Sequence, residues 1–437
     1  MNNQELVARS LGAVWHPCTQ MKMHEQFPLV PIQRGEGVWL YDFEGNRYLD
    51  AISSWWVNLF GHGHPRINAA VRDQLDQLEH VILSGFTHEP VVRLSERLSA
   101  LTGKKLGHCS YASDGASSIE IALKMSFHYW RNSGRASKTR FLSLRNSYHG
   151  ETIGALAVGD VALFKDSYAP LLMNVSSVSS PDARAAAPGS SAREHALLCA
   201  AELERHLEQH HQDIAAFIVE PLIQCAGSMA MYDAAYLSQA RQLCDHYGVH
   251  LIADEIAVGF GRTGSFFACE QAGITPDFLC LSKGLSGGYL PLSVVMATDE
   301  IYAAFYADEF TRGFLHSHSY TGNALACSAA LATLDLFEEN DVIARNRNVA
   351  GQFAGACAPL ASHPRVKHFR QCGMVLAFDV DTDDRQFARR FADMAARKEL
   401  LLRPMGNTVY FMTPYIISGS EIDLLASRTL ELLEQLS

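Results

Sequence analysis

The stretch Leu251-Ile252-Ala253-Asp254-Glu255-Ile256, followed downstream by Leu279-Cys280-Leu281-Ser282-Lys283-Gly284, decides how this chain folds. Each is a short apolar run ending in residues able to do chemistry, the pattern of a buried strand that opens into a site. In an open α/β sheet ligands bind in the crevice outside the carboxyl ends of the strands, so Asp254 and Lys283 are expected to face one site. There an amine can bond covalently to a carbonyl ligand, and a carboxylate can hold a proton on a ring nitrogen. Taken singly, a helix-capping aspartate and a surface lysine are the commoner readings, so the inference depends on other motifs converging.

Between about residues 105 and 300 helix-like stretches such as 234–247 alternate with short apolar runs, these two included: Arg140–Leu144, Ala216–Val219, His250–Ala253, Phe278–Leu281 and Ser293–Met296. That rhythm predicts a mostly parallel sheet covered on both faces. The last two runs stand too close together for a crossover helix, which predicts one antiparallel strand. The Ser-, Ala- and Pro-rich segment 176–193 reads as an exposed loop. Beyond about 336 short strands and helices follow (366–378, 385–398, 400–412, 420–435), a smaller α+β unit that strands near 37–41 and 47–50 can join.

Ser113-Asp114-Gly115-Ala116-Ser117-Ser118 precedes the helix-forming Ile119–Met125, with Ser117 or Ser118 as the expected N-cap. Gly115 and Ala116 carry no bulk, so their backbone N–H groups can approach a phosphate at the helix N-terminus. The charge of Asp114 opposes such an anion, so the contacts are assigned to the backbone. Gly259-Phe260-Gly261-Arg262-Thr263-Gly264 satisfies the dinucleotide pattern G-x-G-x-x-G, but Ser265-Phe266-Phe267 follows where that motif needs a helix. The pairs His62/His64 and His316/His318 lack the neighbouring carboxylate or thiol of a zinc set, and no metal is expected. Met125, Phe127, Tyr129 and Trp130 read as helix core.

A chain of 437 residues, 48% hydrophobic and 19% charged, has room for two or three globular domains. A net charge of −11 with no basic run argues against nucleic acid or an anionic membrane as partner. With no signal-type N-terminus and no apolar run of about 18 residues, a cytoplasmic location is expected. Ten cysteines without a C-x-x-C pair read as reduced thiols.

In chain order, Asp114-Gly115-Ala116, Asn146-Ser147-Tyr148-His149-Gly150-Glu151-Thr152, Ile218-Val219-Glu220-Pro221, Ala253-Asp254-Glu255, the glycine segment 259–264, Ser282-Lys283-Gly284 and Tyr320-Thr321-Gly322-Asn323 resemble the class III (ω-type) aminotransferases. These are pyridoxal 5′-phosphate (PLP) enzymes of fold type I. The resemblance implies an α/β fold: a large domain over 62–335 with a mostly parallel seven-stranded sheet, and a smaller α+β domain from 1–61 and 336–437. It implies PLP on Lys283, Asp254 at the ring nitrogen, Tyr148 against the ring as a third catalytic residue, Gly115 and Ala116 at the phosphate, and Glu220 in the polar surround. Ser319 would reach the phosphate from the neighbouring subunit of a homodimer with shared active sites.

Trp15-His16-Pro17, Ser53-Ser54-Trp55-Trp56, Arg403-Pro404 and Tyr410-Phe411-Met412-Thr413-Pro414-Tyr415 further resemble the members that aminate 8-amino-7-oxononanoate in biotin biosynthesis, usually with S-adenosylmethionine as donor. That likeness implies Arg403 on the substrate carboxylate, Trp55 and Trp56 along its aliphatic chain, and Glu151, Ser317 and Tyr410 at other substrate positions. Without it the two tryptophans read as core aromatics. An ω-amino acid:pyruvate or diamine transaminase would share every cofactor residue, and a catalytically silent protein of the same fold would share the frame. Three departures bear on the donor: Cys18 where many relatives carry tyrosine, Ser317-His318-Ser319 in place of a Gly-Pro-Thr-like turn, and the glycine-poor Gln224-Cys225-Ala226-Gly227-Ser228.

Overall fold

In the computed structural model, which describes residues 1–436, the chain divides into two compact units: Arg66–Ile343, and Met1–Pro65 with Ala344–Ser437. The expected join at 335/336 falls inside the helix Ala324–Glu339.

Among the described residues the larger unit is built on seven strands: β1 (His108–Ala112), β2 (Arg140–Leu144), β3 (Val175–Val178), β4 (Ile214–Val219), β5 (His250–Asp254), β6 (Phe278–Leu281) and β7 (Ser293–Ala297). They lie in the order β1-β7-β6-β5-β4-β2-β3. Strands β4 to β7 are buried along their whole length, which is why they read as unbroken apolar runs. From β3 to β6 every neighbouring pair is parallel. β7 is antiparallel to both β6 and β1, as the short spacing predicts. Two reversals in succession return β1 to the direction of β6, so the carboxyl ends of β1, β2, β4, β5 and β6 open on one edge.

The reading of 176–193 as loop needs correction at its start. Val175-Ser176-Ser177-Val178 pairs in parallel with Phe141–Leu144 at the margin of the sheet. An edge strand is held by backbone bonds on one side and does not need an apolar sequence. β1 likewise has no apolar run to announce it, because His108-Cys109-Ser110-Tyr111 lacks the density of the other strands.

The helix α1 (Gly115–Asn132) follows β1 and buries Ile119, Ala122, Leu123 and Trp130 in one cluster with Phe141, Ile218, Ile252 and Phe278 of the sheet. Its N-cap is Asp114, neither of the expected serines. Asp114 Oδ1 accepts the Ser117 N–H at 2.9 Å and Oδ2 accepts the Ser117 hydroxyl at 2.8 Å. A cap sits two or three residues before the amide it satisfies, and here Ser117 occupies that amide's position.

In the smaller unit Ile32–Glu36, Trp39–Asp42 and Arg47–Asp50 form an antiparallel meander, extended by Leu400–Leu401 in parallel with Arg47–Asp50. Val366–Cys372, Val375–Val380 and Thr408–Phe411 make a second, antiparallel sheet. After Asp50 the backbone winds the wrong way: Ser53, Ser54, Trp55 and Trp56 have φ of 50°, 47°, 72° and 74°. The Trp56 N–H reaches the Ile52 carbonyl at 2.8 Å and the Val57 N–H that of Ser53 at 3.0 Å, closing a left-handed turn. For residues other than glycine that hand costs about 1–2 kcal/mol each, so four in succession must be held by contacts elsewhere. Among the described residues no helix is long and apolar enough to cross a membrane.

Gly61, just past this turn, has φ +82°, and a Cβ there would stand 2.8 Å from the Gly37 carbonyl oxygen and closer still to Ile416. Gly61→Ala therefore meets both a strained backbone and a steric block. Urea denaturation should show it losing more than about 1 kcal/mol of stability at an unchanged m-value.

Candidate active site

Asp254 is the last residue of β5, Glu220 follows β4 directly, and Lys283 stands two residues beyond β6. Tyr148 and His149 lie in the loop after β2, and Gly115 opens α1 after β1. Specific contacts draw these strand ends together. His149 Nδ1 is 2.7 Å from Asp254 Oδ2, and the Ile256 N–H donates to Asp254 Oδ1 at 3.1 Å. Glu220 accepts the Tyr148 N–H at 2.9 Å on one oxygen and the Cys225 N–H at 3.0 Å on the other. A Cβ on Gly150 would stand 2.5 Å from that of Ala116, and one on Gly115 would stand 2.9 Å from Ile256. Small residues thus let the loops after β1, β2 and β5 close on one another.

His149 is the residue that sequence reasoning missed. It is buried with Nδ1 on Asp254, and its Nε2 has no partner among the described residues. Its signal lay within Tyr148-His149-Gly150, but among nineteen histidines a single one does not stand out.

Asp254 and Glu220 are both almost fully buried. Burial pushes the Glu220 carboxyl up to about 8, with Asp254 adding to the effect; the Tyr148 and Cys225 amides and then Lys283 oppose it. Burial likewise pushes the Lys283 amine below its usual range, against the pull of Asp254, Cys225 and Glu220. Lys283 also carries φ +40°, a left-handed backbone at the residue expected to do the chemistry.

The Tyr148 ring meets Phe164 edge-on at 5.5 Å, and its hydroxyl donates to the exposed Glu151 at 3.0 Å. Ser317 and Ser319 are exposed in a loop anchored near the start of α1. There His318 Nε2 is 3.0 Å from Ser113 Oγ, His316 Nδ1 is 2.8 Å from Lys124 Nζ, and the Ser319 carbonyl accepts from His80 at 2.7 Å. In the smaller unit the Arg403 guanidinium lies 4.2 Å over the Trp55 ring, and Trp56 Nε1 donates to the Tyr410 hydroxyl at 3.1 Å. Trp56 is buried as a core aromatic would be, whereas Trp55 is 40% exposed, which the core reading does not explain.

PLP fits this donor set. The larger unit offers an amine for the aldehyde, a carboxylate fixed by two donors for the ring nitrogen, and a tyrosine ring for the flat face. Asp114 is committed to Ser117, while the Gly115 and Ala116 amides, first in α1, lie beyond the reach of any intrahelical carbonyl and suit a phosphate.

The aminotransferase class-III family matches residues 20–433. Over its whole length, and 99% of the relative's, the chain is 50% identical to the adenosylmethionine-8-amino-7-oxononanoate aminotransferase of Helicobacter pylori. Among solved structures, the adenosylmethionine-8-amino-7-oxononanoate aminotransferase of Methanocaldococcus jannaschii is similar with a TM-score of 0.93 at 34% identity, covering 99% of each chain. An amine transaminase from an uncultivated Pseudomonas species, solved in its PLP-bound form, is similar with a TM-score of 0.92 at 31% identity, covering 97% of this chain and 99% of that one.

The raised Glu220 carboxyl ties stability to pH. It titrates near 4.5 when unfolded and near 8 when folded, so its contribution to stability is complete below 4.5 and is lost as pH rises toward about 8. Glu220→Gln cannot release a proton. In the cofactor-free protein its thermal midpoint should fall less across that window than the unmodified chain's, as read by denaturation at a series of pH values.

Proposed function

The chain belongs to the class-III aminotransferases, and from that premise we propose that it transfers an amino group from S-adenosylmethionine to 8-amino-7-oxononanoate, giving 7,8-diaminononanoate for biotin synthesis. The observation that carries this reading is the 50% identity, along the whole chain, to the Helicobacter pylori adenosylmethionine-8-amino-7-oxononanoate aminotransferase. The Arg403, Trp55, Trp56 and Tyr410 cluster supports it.

The enzyme is PLP-dependent, and the bound cofactor supplies an electron sink that lets a proton leave the carbon bearing the amino group. Lys283 is the residue that holds and moves this proton. Its burial favours the neutral amine, whose Nζ can take the proton from the donor carbon and later return one to the acceptor carbon, a role worth about 10²–10⁴ in rate. Asp254 holds the ring nitrogen in its protonated form, and His149 with the Ile256 amide fixes the plane of its carboxylate. Tyr148 covers the ring and excludes water, and the Gly115 and Ala116 amides hold the phosphate.

Arg403 takes the substrate carboxylate bidentately, already oriented by stacking on Trp55. The indole faces cover the aliphatic chain, while Tyr410, Glu151 and Ser317 supply polar contacts. The working form is a homodimer in which Ser319 reaches the partner's phosphate site. Ten free thiols suit a reducing cytoplasm.

The test is a half-reaction assay on PLP-loaded protein. S-adenosylmethionine should convert the cofactor to its amine form, and 8-amino-7-oxononanoate should restore it with release of 7,8-diaminononanoate. Conversion by alanine or a simple amine, with pyruvate alone restoring the cofactor, would assign a general ω-transaminase instead.

Two variants sharpen the roles. Lys283→Ala should leave no cofactor attached after borohydride reduction and mass analysis, with turnover down by about 10²–10⁴ or more. Arg403→Ala should raise KM for the keto acid about ten- to a hundredfold, the effect of losing a hydrogen-bonded charge partner, while PLP content by absorbance stays unchanged.

A further inference from the structure

The left-handed turn Ser53–Trp56 has no glycine to ease it, so something must hold it. The strongest holds converge on Asp50, a fully buried carboxylate at the end of the strand Arg47–Asp50. Its Oδ1 accepts the Ser54 N–H at 2.9 Å, and its Oδ2 accepts the Ser54 hydroxyl at 2.7 Å. His62 Nε2 lies 3.0 Å from the same Oδ2. Asn58 Nδ2 is 3.3 Å from His62 Nδ1; with that amide as donor, the ring proton is assigned to Nε2 and points at Asp50.

His62 is itself fixed. Its backbone exchanges two hydrogen bonds with Gly37, and a Cβ on Gly35 would stand 2.6 Å from that of His62, so only glycine lets the ring lie there. Asn58 is tied by the Gly61 N–H, which donates to its Oδ1 at 2.7 Å. At the other end of the turn the Ser53 hydroxyl donates to the Met412 carbonyl at 2.7 Å, and the Met412 N–H donates to that of Ala51 at 2.8 Å.

The hand of this turn decides where the tryptophans go. Side chains step around a helix axis by roughly 100° per residue, and reversing the hand reverses the sense of that step. In a right-handed turn Trp55 and Trp56 would leave in other directions. As built, Trp55 lies under Arg403 and Trp56 bonds Tyr410.

We infer that Asp50, oriented by His62 and Asn58, is a positioning residue for the acceptor: it holds Ser54 in the left-handed conformation that sets Trp55 and Trp56 against Arg403 and Tyr410. What those four residues bind rests on the functional reading above; what holds them does not.

The test compares Asp50→Ala, Asp50→Asn and the double variant Asp50→Ala/Ser54→Gly in the PLP-loaded enzyme. Near-UV circular dichroism reports the packing of the tryptophans without substrate, and steady-state kinetics separate KM from kcat. Asp50→Ala should alter the near-UV spectrum and leave the far-UV spectrum intact. It should raise KM for the keto acid at least about tenfold, the scale of a lost hydrogen bond to a charged group, with kcat within about threefold. Glycine adopts the left-handed conformation without strain, so Ser54→Gly in that background should recover both the spectrum and KM.

Asp50→Asn keeps the volume and one acceptor, so it carries the comparison if the alanine variant does not fold, with changes in the same direction. An unchanged spectrum and KM in a folded variant overturns the proposal. So does a fall in kcat with loss of PLP that Ser54→Gly does not repair, which is what a general structural role would give. Should the parent enzyme fail to turn over 8-amino-7-oxononanoate, the substrate reading fails, and the spectral arm still decides what Asp50 does.

Discussion

A lysine amine and two carboxyl groups cannot be gathered at the dry end of one sheet unless each depends on the others. Burial opposes charge on two of them, lowering the affinity of Lys283 for its proton and raising that of Glu220. The arrangement is tolerable because every carboxyl oxygen of Asp254 and Glu220 has a donor, from His149, Ile256, Tyr148 or Cys225. Much of the larger unit can be understood as the geometry this requires. Parallel strands bring their carboxyl ends to one edge, the reversed β7 returns β1 to that same edge, and Gly115, Ala116 and Gly150 remove the bulk that would keep the loops apart.

The sheet was legible in the sequence where burial was complete on both faces. Strands such as Ile214–Val219 and Phe278–Leu281 have no polar side to disguise them, so their ends, and with them Glu220, Asp254 and Lys283, could be placed. Legibility failed where the backbone does the holding. β3 is two serines between two valines, paired at an edge, and β1 carries a histidine, a cysteine, a serine and a tyrosine. The cap of α1 lies three or four residues before the serines that the sequence suggests, because serine and aspartate are both good caps and only the register of the first turn chooses between them.

Adjacent acids were harder still. Asp254 and Glu255 are neighbours in sequence, yet Glu255 turns to the Ala268 and Cys269 amides at 2.6 and 2.7 Å and props a loop. No property of the pair alone says which one turns to His149 at the strand ends. Ser53-Ser54-Trp55-Trp56 is the extreme case, since neither residue type favours positive φ. Its conformation is imposed by Asp50 a few residues before it and by Met412 and Tyr410 far along the chain.

That distance has a consequence for how the molecule is made. Trp56 and the tyrosine it bonds are 354 positions apart, and the meander that ends in Asp50 gains its fourth strand only at Leu400. At about 5–20 residues per second of synthesis, the amino-terminal segment waits roughly 20–70 s for those contacts. The stretch Arg66–Ile343, by contrast, is synthesised entire before Leu400 and Tyr410 are added. On that timetable the larger unit can fold on the nascent chain, while the early tryptophans stay a target for chaperones until the segment carrying Leu400 and Tyr410 has emerged.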